Sequence, residues 1–266
     1  MKEIGTVLKQ NPLGHMLKQW RSVRGKSQLA LALEANVSAR HVSFIETGRT
    51  KPSRAMVLQL ADALNVPLRD RNALLHAAGF APVFRETGLK EPEMEPVRRA
   101  LDRILRQQEP YPAVVMDRHW NIVQTNDGAV RLFSRLIDLA EVPQPANVLR
   151  LMFDPAGIRP FVANWHEVAG SLLVRVSREA AGGVPDEQLA TLIDELSRYP
   201  DVPTRAALAA FTAPLLPIVP VRFRKGDFAV DFFSMVTTLG TPQDVTLQEL
   251  RIECFFPADP GAQNQS

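Results

Sequence analysis

Side chains able to act as nucleophiles, metal ligands or proton shuttles are few in this chain and do not gather. The five histidines, His15, His41, His76, His119 and His166, are dispersed. Cys254 is the sole cysteine, so no paired Cys/His spacing can build a zinc site. A serine–lysine dyad needs a lysine downstream of its serine, and Lys225 is the only lysine beyond residue 90. Neither a G-x-S-x-G elbow nor a Gly-rich phosphate loop occurs. These absences argue against an enzyme and imply no metal and no cofactor. What does gather is chemistry suited to a polyanion: Gln28, Arg40, His41, Arg49, Lys51 and Arg54 fall in one short stretch. Residues 1–85 carry 13 Lys/Arg against 5 Asp/Glu, a local charge of +8, and the remainder carries 18 against 24, or −6. The net charge of +2 therefore hides a basic segment joined to an acidic one, and the basic one suits nucleic acid.

Short helices have to position those groups. Leu13, Met16, Leu17 and Trp20 follow the i, i+3, i+4, i+7 spacing of a buried helix face, which Gly25 stops. Ser27 can cap a second helix to about Asn36, with Leu29, Ala30 and Leu33 inward. Val37 fills a tight turn, and Ser38 caps a third helix with Val42 and Ile45 inward, ended by Gly48. Pro52-Ser53 begins a fourth with Val57, Leu60, Ala61 and Leu64 inward, and Pro67 a fifth that stops at Gly79. Helices this short are marginal alone, so residues 1–80 are expected to pack as one domain.

Two short helices joined by a three- or four-residue turn inside a basic five-helix unit make a helix-turn-helix. That arrangement lays the third helix, residues 39–47, in the major groove of duplex DNA. With Val42 and Ile45 in the core, Ala39, Arg40 and Ser43 face the bases. Arg40 is the leading base reader because its fork matches O6 and N7 of guanine, with a phosphate contact as the alternative. His41 is expected at a flank or on a phosphate, and Arg49, Lys51 and Arg54 on phosphates. Such domains act as homodimers on inverted repeats whose half-sites lie about one helical turn apart. The stretches Ser27-Gln28-Leu29-Ala30, Asn36-Val37-Ser38, Ile45-Glu46-Thr47-Gly48-Arg49 and Pro52-Ser53 resemble the XRE family, which includes the phage repressors. The resemblance implies that Gln28 anchors a phosphate and that Glu46 pairs with Arg21 inside the domain.

Residues 81–96, interrupted by Pro82, Gly88, Pro92 and Pro96, read as a linker. A helix is expected from Val97 to Gln108, with Ala100, Leu101, Ile104 and Leu105 on one face. Strands at 113–116 and 121–125 flank a turn at Asp117-Arg118-His119-Trp120. A helix over 129–139 then places Val130, Phe133, Leu136 and Ile137 inward. Further helices lie near 147–153, 160–180 and 186–199, with a last turn around 204–211. Strands at 218–224, 228–236 and 250–256 finish the chain, the first two joined at Lys225-Gly226-Asp227. Leu250, Ile252, Cys254 and Phe256 alternate with Glu249, Arg251 and Glu253, giving the last strand a buried and a wet or polar-covered face. Two strands, several helices and three antiparallel strands are the order of a PAS-like sensor, so the fold class is α+β with 97–266 as the second domain.

The run Pro112-Ala113-Val114-Val115-Met116-Asp117-Arg118-His119-Trp120 with Asn126 resembles the MmyB-like regulator ligand-binding domain. Asn147-Val148-Leu149-Arg150-Leu151-Met152-Phe153-Asp154-Pro155 and Trp165 resemble its central part. That domain follows an XRE-type helix-turn-helix, and the resemblance implies a pocket for a fatty acid or similar apolar ligand. Ten of the 13 phenylalanines lie beyond Phe84, in keeping with an apolar lining. Trp120, Phe153, Phe161, Trp165, Phe233 and Met235 are the candidate lining residues, with Asn126 and Arg150 as polar partners. The alternatives are a strand-end turn for Asn126 and a surface ion pair for Arg150. The chain thus reads as a homodimeric, ligand-modulated DNA-binding regulator. The competing reading is a second domain that serves only dimerisation or a protein partner. The longest apolar stretch, 206–221, contains three prolines and is too short for a membrane helix. Met1 to Gln10 lacks the apolar run of a secretory signal, and the single cysteine suits a reducing, cytosolic setting.

Overall fold

The computed structural model describes residues 11–181, 186–203 and 220–258. The expected turn at 204–211 and the first residues of the strand expected at 218–224 lie outside them. Two compact units result, the first built on residues up to Arg85 and the second starting at Glu86. No helix among the described residues is long and apolar enough to cross a membrane.

The first unit holds α1 (Pro12–Val23), α2 (Gln28–Glu34), α3 (Ala39–Glu46), α4 (Arg54–Ala63) and α5 (Leu68–Ala77). Ser27, Ser38 and Ser53 cap α2, α3 and α4 by accepting from the amides of Ala30, His41 and Met56 at 3.0, 3.1 and 3.2 Å. Between α2 and α3 the chain turns through Asn36 at a left-handed φ of 49°, which asparagine tolerates better than most residues. The core takes Leu13, Leu17 and Trp20 from α1, Val42 and Ile45 from α3, and Val57, Leu60 and Ala61 from α4.

Helix α2 departs from expectation. Leu29 and Leu33 are 60% and 73% exposed, and Leu31, Ala32 and Ala35 are buried instead. The run Leu29-Ala30-Leu31-Ala32-Leu33 is apolar on every side, so periodicity cannot choose its inner face and packing does.

In the second unit five antiparallel strands follow the order β2-β1-β5-β4-β3, the PAS-like arrangement. They are β1 (Ala113–Met116), β2 (Ile122–Thr125), β3 (Val221–Lys225), β4 (Phe228–Thr237) and β5 (Arg251–Pro257). Helix α6 (Glu95–Gln107) precedes them, and α7 (Asp127–Leu136), α8 (Val148–Phe153), α9 (Trp165–Ala181) and α10 (Glu187–Leu196) lie between β2 and β3. α6 begins two residues before the expected helix because Pro96 sits in its first turn, where a missing amide proton is harmless. Its Leu101 and Leu105 are buried, whereas Ile104 and Ala100 are exposed. On α7 Leu132 and Leu136 are buried and Val130 is exposed. A five-residue helix, α11 (Val245–Glu249), precedes β5 and is too short to show a sequence period.

Around β1 and β5 both faces of the sheet are covered, while the outer residues Arg222 and Arg224 of β3 and Met235 of β4 are exposed. Ala113, Val115 and Ile252 pack with Leu101 and Leu105 of α6 on one side. Met116, Phe223 and Phe232 pack against α7–α10 on the other. β5 lies between β1 and β4, and its Arg251–Glu253 face is polar-covered, by Glu179 and Arg175 of α9, with Phe255 beside them against the main core.

Asn126 fastens this sheet to α7. Its Oδ1 accepts from the amides of Ala129 and Ala113, both at 2.9 Å, and its Nδ2 donates to the carbonyl of Tyr111 at 2.8 Å. Gly128 lets the backbone close in, because a Cβ there would lie 2.6 Å from the Pro110 carbonyl oxygen. Asn126→Ala leaves these buried groups unpaired and is expected to lower stability by about 2 kcal/mol in urea unfolding.

Candidate nucleic-acid interface and ligand cavity

Helix α3 buries Val42 and Ile45 and thereby turns its opposite side to solvent. Arg40 is exposed, while Ser43 and His41 are half-buried and Ala39 packs partly against the core. Arg40 lies over the ring of Phe44, its guanidinium carbon 5.1 Å from the centroid, and Arg49 flanks the same ring at 5.7 Å. Phe44 escaped the sequence reading, although the i, i+4 spacing from Arg40 would place both on one face. Lys51 is exposed in the segment leading into α4, and Arg54 is exposed at its first position. The cationic groups thus lie on and just after the outward face of α3.

Beneath that face sits an ion pair. Arg21 donates from Nε and Nη2 to Oε1 and Oε2 of Glu46 at 2.7 and 3.0 Å, a bidentate match. The Glu46 side chain is 4% exposed and that of Arg21 is 13%. Gln28 also donates to Glu46 Oε2, at 2.8 Å, so the residue expected on a phosphate is tied inward to α3. Burial pushes the Glu46 carboxyl up, but the hydrogen bonds from Arg21 and Gln28 and the charge of Arg21 outweigh it and hold the group below the usual carboxylate range. Asn11 contributes from a different direction. It caps α1 through the Gly14 amide at 3.1 Å and donates to the carbonyls of Ile45 and Glu46 at 2.9 and 3.1 Å, closing the end of α3.

In the second unit a cavity of about 140 Å³ opens between the sheet and α7–α9. Its wall is mostly apolar, with Val114, Met116, Phe133, Leu172, Phe223 and Phe255 among the lining side chains. Arg175, Ser171, Ser234 and Glu253 supply the polar groups. Ser234 donates to Glu253 Oε1 at 2.5 Å, and Arg175 Nη1 lies 3.9 Å from Glu253 Oε2. Arg175 also lies 4.5 Å over the ring of Trp120. Among the described residues no three His, Cys, Asp or Glu side chains form a metal-ligand group.

None of the eight residues expected to touch a ligand lines this cavity. Trp120, Phe153 and Trp165 are buried in the domain core. The indole of Trp120 donates to Glu179 at 3.1 Å and that of Trp165 to the Met152 carbonyl at 2.8 Å, with Phe153 edge-on to Trp165. Phe161 lies beneath Lys225, whose Nζ is 4.8 Å from the ring centroid. Asn126 is occupied by the backbone groups described above, and Arg150 is held bidentately by Glu195 at 2.9 and 2.8 Å. Strand alternation sends Phe233 and Met235 to the far side of β4: Phe233 stacks on Phe256 and Met235 is 55% exposed. Phe232 and Ser234 face the helices instead.

Glu46→Ala strands the Arg21 guanidinium in a largely buried position. The expected loss is roughly 3 kcal/mol, read by urea unfolding followed by circular dichroism. Because the folded carboxyl titrates below its unfolded value, the pair's contribution is complete above about pH 4.3. It is lost as pH falls further through the lowered value, and the variant should lack that acid-side decline.

A family model for the MmyB-like transcription regulator ligand binding domain matches residues 97–265, and a helix-turn-helix domain model matches residues 12–74. No curated protein matches the chain. Among solved structures, the clp gene regulator ClgR from Corynebacterium glutamicum shares 22% identity over 38% of this chain and 93% of its own, with a TM-score of 0.23. An RNA-binding light-oxygen-voltage receptor shares 14% identity over 93% of this chain and 60% of its own, with a TM-score of 0.27. Both likenesses are too slight to carry a structural argument. The two family matches together span most of the sequence, and the chain belongs to the MmyB-like transcription regulators, with a helix-turn-helix DNA-binding domain ahead of the ligand-binding domain.

Proposed function

We propose that the protein is an XRE-type cytoplasmic homodimer that binds an inverted-repeat operator through α3. Residues 1–80 form its DNA-binding domain, 81–96 the linker and 97–266 the sensor. The observation that carries the DNA half is Arg40, exposed on the first turn of α3 opposite the buried Val42 and Ile45. Stacking on Phe44 restricts its guanidinium, so less side-chain freedom is lost when it meets a guanine edge. Ala39, Ser43 and His41 adjoin it along the groove, and Arg49, Lys51 and Arg54 meet phosphates. Gln28 reaches a phosphate through the side-chain capacity left free of Glu46. Arg40→Ala is expected to weaken the cognate operator by about 1–3 kcal/mol and to relax one base position. A binding profile across mutated operators that matches the parent protein would remove Arg40 from base reading.

The sensor half rests on the cavity beside Arg175, Ser234 and Glu253, which supports a small apolar effector of fatty-acyl type. Occupancy acts on transcription by binding two dimer arrangements unequally, since equal affinity shifts neither. Native mass spectrometry of freshly purified protein, with solvent extraction, is expected to show an apolar compound at stoichiometric level. Adding that compound back should change operator affinity by about fivefold or more. A clean apo mass that persists after incubation with acyl compounds of several lengths would favour a domain used for dimerisation alone.

A further inference from the structure

The charge balance of the cavity discriminates among apolar effectors. We propose that it takes a neutral amphiphile, an apolar body ending in a hydroxyl or carboxamide, with that head set between Arg175, Ser171, Ser234 and Glu253. The inference rests on the effector reading above and specifies its chemistry.

Among the described residues only two charged side chains line the cavity, Arg175 and Glu253, and they are of opposite sign. Both are already compensated. Arg175 lies 3.9 Å from Glu253 and 3.3 Å from Glu179, and Glu179 in turn takes Arg251 at 2.9 Å and the Trp120 indole at 3.1 Å. This group of two arginines and two glutamates sums to zero. Glu253 is 9% exposed, so a carboxylate head would bring an unbalanced negative charge beside it where water screens little. A hydroxyl donates to Glu253 and accepts from Arg175 or Ser171 while adding no charge, and a carboxamide does the same. The apolar remainder of the cavity, about 140 Å³ in all, is close to the size that holds a benzene-sized group. A short alkyl body with a neutral head fits both its size and its electrostatics.

The test compares 1-pentanol, pentanamide and pentanoate by isothermal titration calorimetry on the full chain at pH 7. The two neutral compounds are expected to bind about tenfold or more tightly than pentanoate. Glu253→Gln keeps the shape and removes the charge. In that variant pentanoate should gain about tenfold while pentanol stays within about twofold. Pentanoate binding as tightly as pentanol to the parent protein would overturn the head-group assignment and leave the effector reading standing. An unchanged preference in Glu253→Gln would likewise overturn it. Failure of all three compounds to bind would overturn the head-group assignment, and the native mass spectrum then decides the effector reading. Should Glu253→Gln not fold, the comparison on the parent protein decides alone.

Discussion

A carboxylate as buried as Glu46 costs several kcal/mol unless a cation and its hydrogen bonds accompany it out of water. Here Arg21 comes from α1, Glu46 from the end of α3 and Gln28 from the start of α2, so satisfying one charge fixes three helices against one another. The orientation of α3 is therefore set from beneath, by electrostatics, as well as by the apolar contacts of Val42 and Ile45. Gly14 belongs to the same arrangement: a Cβ there would lie 2.3 Å from the Glu46 carbonyl oxygen, so α1 approaches α3 closely because that residue has no side chain. The outward residues of α3 inherit their placement from this interior.

The second unit meets the same constraint in another form. A central strand covered on both faces has nowhere to put polar residues except into a core, and β5 carries Arg251 and Glu253 into one. Their compensation by Glu179 and Arg175 of α9 holds that helix over the sheet, with Trp120 sandwiched below the two guanidiniums. Trp120 also sits at a left-handed φ of 66°, a conformation a bulky residue keeps only where its surroundings over-determine it. Full burial, the hydrogen bond to Glu179 and the stacked arginines supply that determination. The polar end of the cavity is thus part of what holds the domain together.

Much of the chain was legible as a sequence. Serines before apolar runs marked three helix starts because a side-chain cap is a local event. Strand alternation and the order of elements identified the sheet, and the turn chemistry of Lys225-Gly226-Asp227 announced the β3–β4 hairpin. The basic character of residues 1–85 is a property of composition alone and needs no fold. Phe44 and Asn11 went unread because each acts across the unit: one becomes a platform only when two arginines converge on it, the other caps two helices at once.

Composition and short-range pattern by themselves determined what is local: the helix caps, the strands, the charge asymmetry and the cationic stretch around α3. Tertiary structure alone decided which face of α2 is inner, which side of β4 meets the helices and which residues line the cavity. The physical reason is that these are choices between faces of the same element, and a face is selected only by what lies opposite it. Large aromatic residues such as Trp120 and Trp165 look like ligand contacts in a sequence, yet their size makes them the first to be consumed by the core. The wall fell to smaller apolar side chains such as Val114, Met116 and Leu172, with Arg175 of α9, Ser234 of β4 and Glu253 of β5 as its polar part.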